Sequence, residues 1–152
     1  VGITPAVEEF LERSACNLTL SLYSPFADER LRIIPAERKY PAGEILRIMK
    51  DYPVKKKRRL SVAYVMIDRI NDTGMHLNEL TAMLKGTGIR VNLLPYHSVG
   101  NDINRSSPDE RMQYFKHNLV ISGVSASVRK SRGADISAAC GMLASGLKQP
   151  EI

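Results

Sequence analysis

The 152-residue chain has no tryptophan, three phenylalanines and two cysteines, Cys16 and Cys140. Two cysteines allow at most one disulfide, so a disulfide framework is excluded, and they are too few to ligate an iron–sulfur cluster unaided. No apolar run is long enough to span a bilayer, and the first residues lack the charged-then-apolar layout of a signal peptide. A soluble, cytoplasmic protein with no membrane partner is therefore expected. The standard catalytic signatures are missing as well: there is no G-x-S-x-G, no H-E-x-x-H, no P-loop and no C-x-x-C. Internal repeats and low-complexity linkers are also absent, which leaves a single domain over residues 1–152 with enough apolar content for one core.

What is present begins with charge. Five of the net six positive charges sit together in Lys55, Lys56, Lys57, Arg58 and Arg59, and a second basic group comprises Arg129, Lys130 and Arg132. Such groups attract phosphate backbones, which makes RNA a candidate partner; a solvated loop leading into a strand explains the first run equally well. No aromatics interleave with either group, so base stacking is not implied.

Short β-branched or leucine-rich runs alternate with segments of helical period, the pattern of repeated βα units. Strands are expected near Asn17–Leu22, Leu60–Ile67, Ile89–Leu94 and Val124–Arg129. One helix should cover Pro5–Arg13. Another should start at Pro41, bury Ile45, Ile48, Met49 and Tyr52, and end before Pro53. A third should run from Gly74 with a Leu77, Leu80, Leu84 stripe to Gly86 or Gly88. Ser107-Pro108-Asp109-Glu110 reads as a capping box before Met112, Phe115 and Leu119. A last helix near Ala134 would include Cys140. The fold class is thus α/β, with about four parallel strands and flanking helices. Four strands cannot close an eight-stranded barrel, but they can form an open sheet or half of a barrel.

Parallel α/β folds gather ligand groups at the carboxyl ends of their strands. Those ends hold Ser21, Leu22, Tyr23 and Ser24, then Asp68 through Asp72, then Tyr96, His97 and Ser98, then Lys130 to Gly133. Bland roles exist for each: Asp68, Asn71 and Asp72 are turn formers, the serines can cap helices, and His97 can be a hydrogen-bonded loop residue. Cys140, among small residues, reads on composition alone as a small buried apolar group.

Several ordered motifs go further. They are Val1-Gly2, then Leu20-Ser21-Leu22-Tyr23-Ser24-Pro25, then Pro35 with Lys39-Tyr40-Pro41, then Tyr64-Val65-Met66-Ile67-Asp68 with Asn71-Asp72, then Val91-Asn92-Leu93-Leu94-Pro95. The last is Arg132-Gly133 through Ala138-Ala139-Cys140-Gly141. In this order they resemble the carboxyl-terminal part of the radical S-adenosylmethionine (SAM) RNA adenine methyltransferases of the RlmN and Cfr type. The resemblance implies the second half of a radical SAM partial barrel, ending in a cysteine-bearing segment over 129–147. It also implies that Cys140 receives a methyl group from SAM and passes it to carbon 2 or 8 of adenine in ribosomal, and in some members transfer, RNA.

By the same resemblance, Ser21, Leu22, Tyr23 and His97 fall where the family contacts SAM. Tyr23 replaces a histidine there, His97 an asparagine, and Ala134 and Ser137 replace two acidic residues. A four-iron, four-sulfur cluster, a resolving cysteine and a general base would lie in an upstream half not contained in this sequence, so this chain alone should be inactive. Cys16 has no counterpart and is expected to be a buried thiol. Two alternatives remain open: a diverged radical SAM redox enzyme acting on another substrate, and a non-catalytic basic RNA-binding module.

Overall fold

The computed structural model describes residues 2–53, 58–98 and 102–129. In chain order they form α1 (Thr4–Arg13), β1 (Leu18–Ser21), α2 (Ala27–Ile33), a 3-10 turn (Pro35–Arg38), α3 (Ala42–Asp51), β2 (Leu60–Met66), α4 (Gly74–Leu84), β3 (Arg90–Pro95), α5 (Asp109–Ile121) and β4 (Ala126–Val128). The four strands pair in the order β1-β2-β3-β4, all parallel. Each strand therefore lies beside the next in sequence, with a helical crossover between them. That is the winding of a barrel wall; a doubly wound sheet would reverse its strand order partway. The α/β class and all four expected strands are present.

Strand alternation decides where the core sits. Leu20 and Leu22, then Leu60, Val62, Tyr64 and Met66, then Val91 and Leu93 point to one side of the sheet. There they meet Val7 and Leu11 of α1, Ile45, Leu46 and Met49 of α3, Leu77, Leu80 and Leu84 of α4, and Met112, Phe115 and Leu119 of α5 in one continuous cluster. The helix stripes inferred from spacing are these buried faces, although Ile48 and Tyr52 are only partly covered. Gly2 packs closely on α3: a Cβ there would lie 2.5 Å from Ile45 Cδ1, so a larger residue would have to push the end of that side chain aside.

Three local expectations differ from what is observed. Pro41 is the N-cap of α3 and does not occupy its first turn. Ser107 does not cap α5, whose N-cap is Pro108 with no side-chain hydrogen bond. The Ser107 hydroxyl donates instead to Asp72 Oδ2 at 2.8 Å, a buried bond that ties the start of α5 to the loop after β2 and so outranks a local cap. Cys16 is exposed, because the turn between α1 and β1 carries it away from the core. The helix expected near Ala134 lies outside the described residues.

Candidate functional site

The carboxyl end of β1 is braced by buried side chains from two neighbouring segments. Ser21 is exposed, Leu22 is fully buried and continues the ladder by donating its N–H to Ala63 O at 2.9 Å, and Tyr23 is half-buried. Two buried polar side chains grip the carbonyls on either side of Leu22. Arg30 of α2 reaches Ser21 O with Nη1 at 3.4 Å, and Asn71 donates its amide to Tyr23 O at 2.8 Å. Both are themselves fixed. Arg30 Nε donates to Glu37 Oε2 at 2.7 Å, and Glu37 Oε1 accepts the Ala42 N–H at 2.9 Å at the start of α3. A buried ion pair of this kind persists because its remaining donors and acceptors are also satisfied.

Asn71 is the hub of the neighbouring strand end. Its Oδ1 accepts the Ile67 N–H at 2.7 Å, its amide also donates to Val65 O at 2.8 Å, and its own carbonyl accepts the buried Tyr64 hydroxyl at 2.7 Å. Asp72 Oδ1 accepts the Arg69 N–H at 2.9 Å, which stabilises Arg69 in the left-handed region at φ 58. Asn71 and Asp72 form a turn, as expected, but they are buried and serve as the link between β1, β2 and α5.

A second chain of contacts lies just beyond Tyr23. Ser24 Oγ donates to Glu29 Oε2 at 2.5 Å, His76 Nε2 lies 2.9 Å from the same oxygen, and His76 Nδ1 lies 2.7 Å from Thr73 Oγ1. An ionised carboxylate only accepts, so Nε2 carries the proton toward Glu29. Partial burial pushes the Glu29 carboxyl up, but the hydrogen bonds from Ser24 and His76 outweigh it and hold the group below its ordinary range. Burial, and then the Glu29 charge, push the Tyr23 phenol up, so it remains a protonated donor at neutral pH.

The end of β3 supplies Tyr96 and His97, both half-buried. Tyr96 donates its N–H to Ser106 Oγ at 3.2 Å and its hydroxyl to Asp102. Strand order puts β3 beyond β2 from β1, so Ser21–Tyr23 and His97 stand at the same end of the sheet but two strands apart. Arg129, just past β4, is exposed and donates from Nε to Asn92 Oδ1 at 3.4 Å.

Arg58 departs from its expected place in a basic surface. It is buried, and its guanidinium donates to Leu11 O at 2.7 Å, Cys16 O at 2.8 Å and Phe10 O at 3.2 Å, as well as to Ser14 O. With its donors committed to four backbone carbonyls, it fastens the end of α1 and offers nothing to a phosphate. Arg59 is exposed. Lys55, Lys56, Lys57, Lys130, Arg132 and Cys140 lie outside the described residues.

By chemistry the donor set is compatible with SAM: the Ser21 hydroxyl and the protonated Tyr23 phenol stand on the turn that Arg30 and Asn71 hold, the His97 imidazole stands two strands away, and groups of these kinds can pair with ribose, carboxylate and adenine. It does not fit an iron–sulfur cluster. Among the described residues no three His, Cys, Asp or Glu side chains are grouped to hold a metal.

Arg30, Glu37, Glu29 and His76 escape sequence reasoning altogether. The segment that holds Glu29, Arg30 and Glu37 carries Leu31 and Ile33 exposed and Arg30 buried, the reverse of what hydropathy suggests. The available signal is an arginine and a glutamate seven residues apart, just after a strand.

No protein-family model matches the chain. Among curated proteins, it is 39% identical over 143 residues to the probable dual-specificity RNA methyltransferase RlmN of Parabacteroides distasonis, covering 94% of this chain and 42% of that one. The protein of the same description from Porphyromonas gingivalis is 39% identical over 137 residues, covering 90% and 40%. The chain thus spans less than half the length of the curated relatives it matches. Among solved structures, a radical SAM methyltransferase from Sphaerobacter thermophilus superposes with a TM-score of 0.85 at 35% identity, over 93% of this chain and 42% of that one. A domain of pyruvate-formate lyase-activating enzyme from Bacteroides vulgatus shares the fold, with a TM-score of 0.65 at 18% identity over 84% of this chain and 75% of that domain.

Proposed function

Because the chain is homologous over nearly its whole length to radical SAM RNA methyltransferases of the RlmN family, we propose that it is the carboxyl-terminal part of an enzyme that methylates adenine in ribosomal or transfer RNA. The observation that carries the reading is an alignment at 39% identity that covers 94% of the chain, a span that takes in the segments around Ser21 and Val91. Bound SAM would supply the methyl group and, with a 4Fe–4S cluster held by residues outside this sequence, the radical chemistry.

The chain's own residues divide the remaining work. Cys140 would be the nucleophile that accepts the methyl group: as a thiolate it would form a sulfur–carbon bond while the methyl–sulfonium bond of SAM breaks, with S-adenosylhomocysteine as the leaving product. Ser21, Tyr23 and His97 would supply hydrogen bonds to SAM, and Leu22, whose side chain is buried in the core, would contribute only its backbone. Arg30 and Asn71 position that turn through the Ser21 and Tyr23 carbonyls. Lys55, Lys56, Lys57, Arg59, Arg129, Lys130 and Arg132 attract the RNA backbone.

In the full-length protein, tryptic mass spectrometry should find Cys140 as S-methylcysteine, and Cys140→Ala should abolish RNA methylation. An unmodified Cys140 together with a fully active Cys140→Ala enzyme removes the reading. Tyr23 and His97 stand where the family has histidine and asparagine, and this favours one alternative, a radical SAM redox enzyme acting on another substrate. RNA methylation by the full-length protein separates the two.

A further inference from the structure

The amino-terminal half of the open sheet face, away from the SAM-contacting turn, holds a concave cavity of about 340 Å³. Strand register builds it. Thr19 lies opposite Ser61, and Ser61 opposite Arg90. Arg90 projects on the same side as Asn92, whose partner is Ser127. Arg59, Arg90 and Arg129 all line the cavity, among hydroxyls and amides, and no carboxylate lines it among the described residues.

The arginines are oriented by neutral partners. Arg90 Nε donates to Ser125 Oγ at 3.2 Å, and Arg129 Nε donates to Asn92 Oδ1, which Ser127 Oγ also approaches at 3.1 Å. Among the described residues none of the three makes an ion pair. Three like charges around one bowl repel each other, and an anion placed among them relieves the repulsion while meeting their forked donors. A carboxylate offers one charge and two oxygens. A phosphate dianion offers two charges and enough oxygens for arginines and serines together.

We infer that this cavity is a binding site for a phosphate dianion, either inorganic phosphate or the phosphate of a nucleoside monophosphate. The site shares Arg59 and Arg129 with the basic residues assigned above to the RNA backbone, but it contains none of the residues assigned to SAM and its test requires no turnover, so its failure and that of the methylation reading are distinguishable.

The test is a titration of the 15N-labelled 152-residue chain with sodium phosphate, adenosine 5′-monophosphate and adenosine at constant ionic strength, followed by amide NMR. Saturable shifts at Ser61, Arg90 and Ser125 are expected with both phosphates and not with adenosine. Equal affinities identify free phosphate as the ligand; tighter binding of the monophosphate identifies a nucleotide. Arg90→Gln should weaken binding about tenfold or more, Arg90→Lys should weaken it less, and Arg13→Gln, outside the cavity, should leave it unchanged. Non-saturating shifts, an Arg90→Gln chain that binds as well as the parent, or tighter binding of an RNA oligomer lacking terminal phosphates would each overturn the assignment, the last in favour of an RNA backbone contact.

Discussion

The two faces of the sheet obey opposite rules. On one, Leu60, Val62, Tyr64 and Met66 are sealed under helices; on the other, Thr19, Ser61, Asn92 and Ser127 form hydrogen-bonded rows with Arg90 and Arg129 between them. An all-parallel sheet is ordinarily apolar on both faces, because helices cover both. A polar second face is what a barrel interior looks like when it receives a ligand, and the winding order of the strands agrees. Apolar burial and polar side chains are thus kept on opposite sides of the same four strands.

Substitutions can break that division or sharpen it. The largest effects belong on the covered side: Phe115→Ala, at a fully buried position, should cost about 3–5 kcal/mol in urea unfolding. A comparable loss, about 3–5 kcal/mol, is expected for Arg30→Ala, which leaves the Glu37 carboxylate buried without its cation. If Arg30→Ala unfolded no earlier than the parent chain, the bracing of the β1 end would be decorative. Asn71→Ala should cost about 1–3 kcal/mol by stranding the Ile67 N–H and the Tyr23 carbonyl.

A smaller effect should come from acid. The folded-state pKa of Glu29 is depressed, so its contribution is fully present above the ordinary carboxylate pKa and is lost as pH falls through the lower folded value. Glu29→Gln should flatten that acid limb in thermal melts taken between neutral and acidic pH. Smallest of all, Ser127→Ala on the open face should change stability by less than about 0.5 kcal/mol. A loss of several kcal/mol there would mean that the two faces share the structural work after all.

The legibility of the sequence follows the same division. Strands and the α3, α4 and α5 stripes are readable because their burial is apolar and periodic, and hydropathy reports apolar burial directly. The brace at the β1 end is unreadable for the converse reason. The Arg30–Glu37 and His76–Glu29 pairs join side chains 7 and 47 residues apart, and no local pattern announces a satisfied polar group. Ser107 misleads in a similar way: its local sequence is a good cap, but a buried acceptor, Asp72, holds it more strongly. Of the residues put forward for SAM, Ser21, Leu22 and Tyr23 form one braced turn and His97 lies two strands away. The βα pattern places all four at carboxyl strand ends, where the structure has them, while their assignment to SAM comes only from the family's motifs.

Arg58 carries a consequence for how the chain would respond to salt. Its guanidinium faces the last carbonyls of α1, the negative end of that helix's dipole, so its charge is neutralised internally. A charge already compensated by protein dipoles releases no counterion when a polyanion approaches. The affinity of the basic run for any nucleic acid should therefore weaken with added salt as though it held four cations and not five.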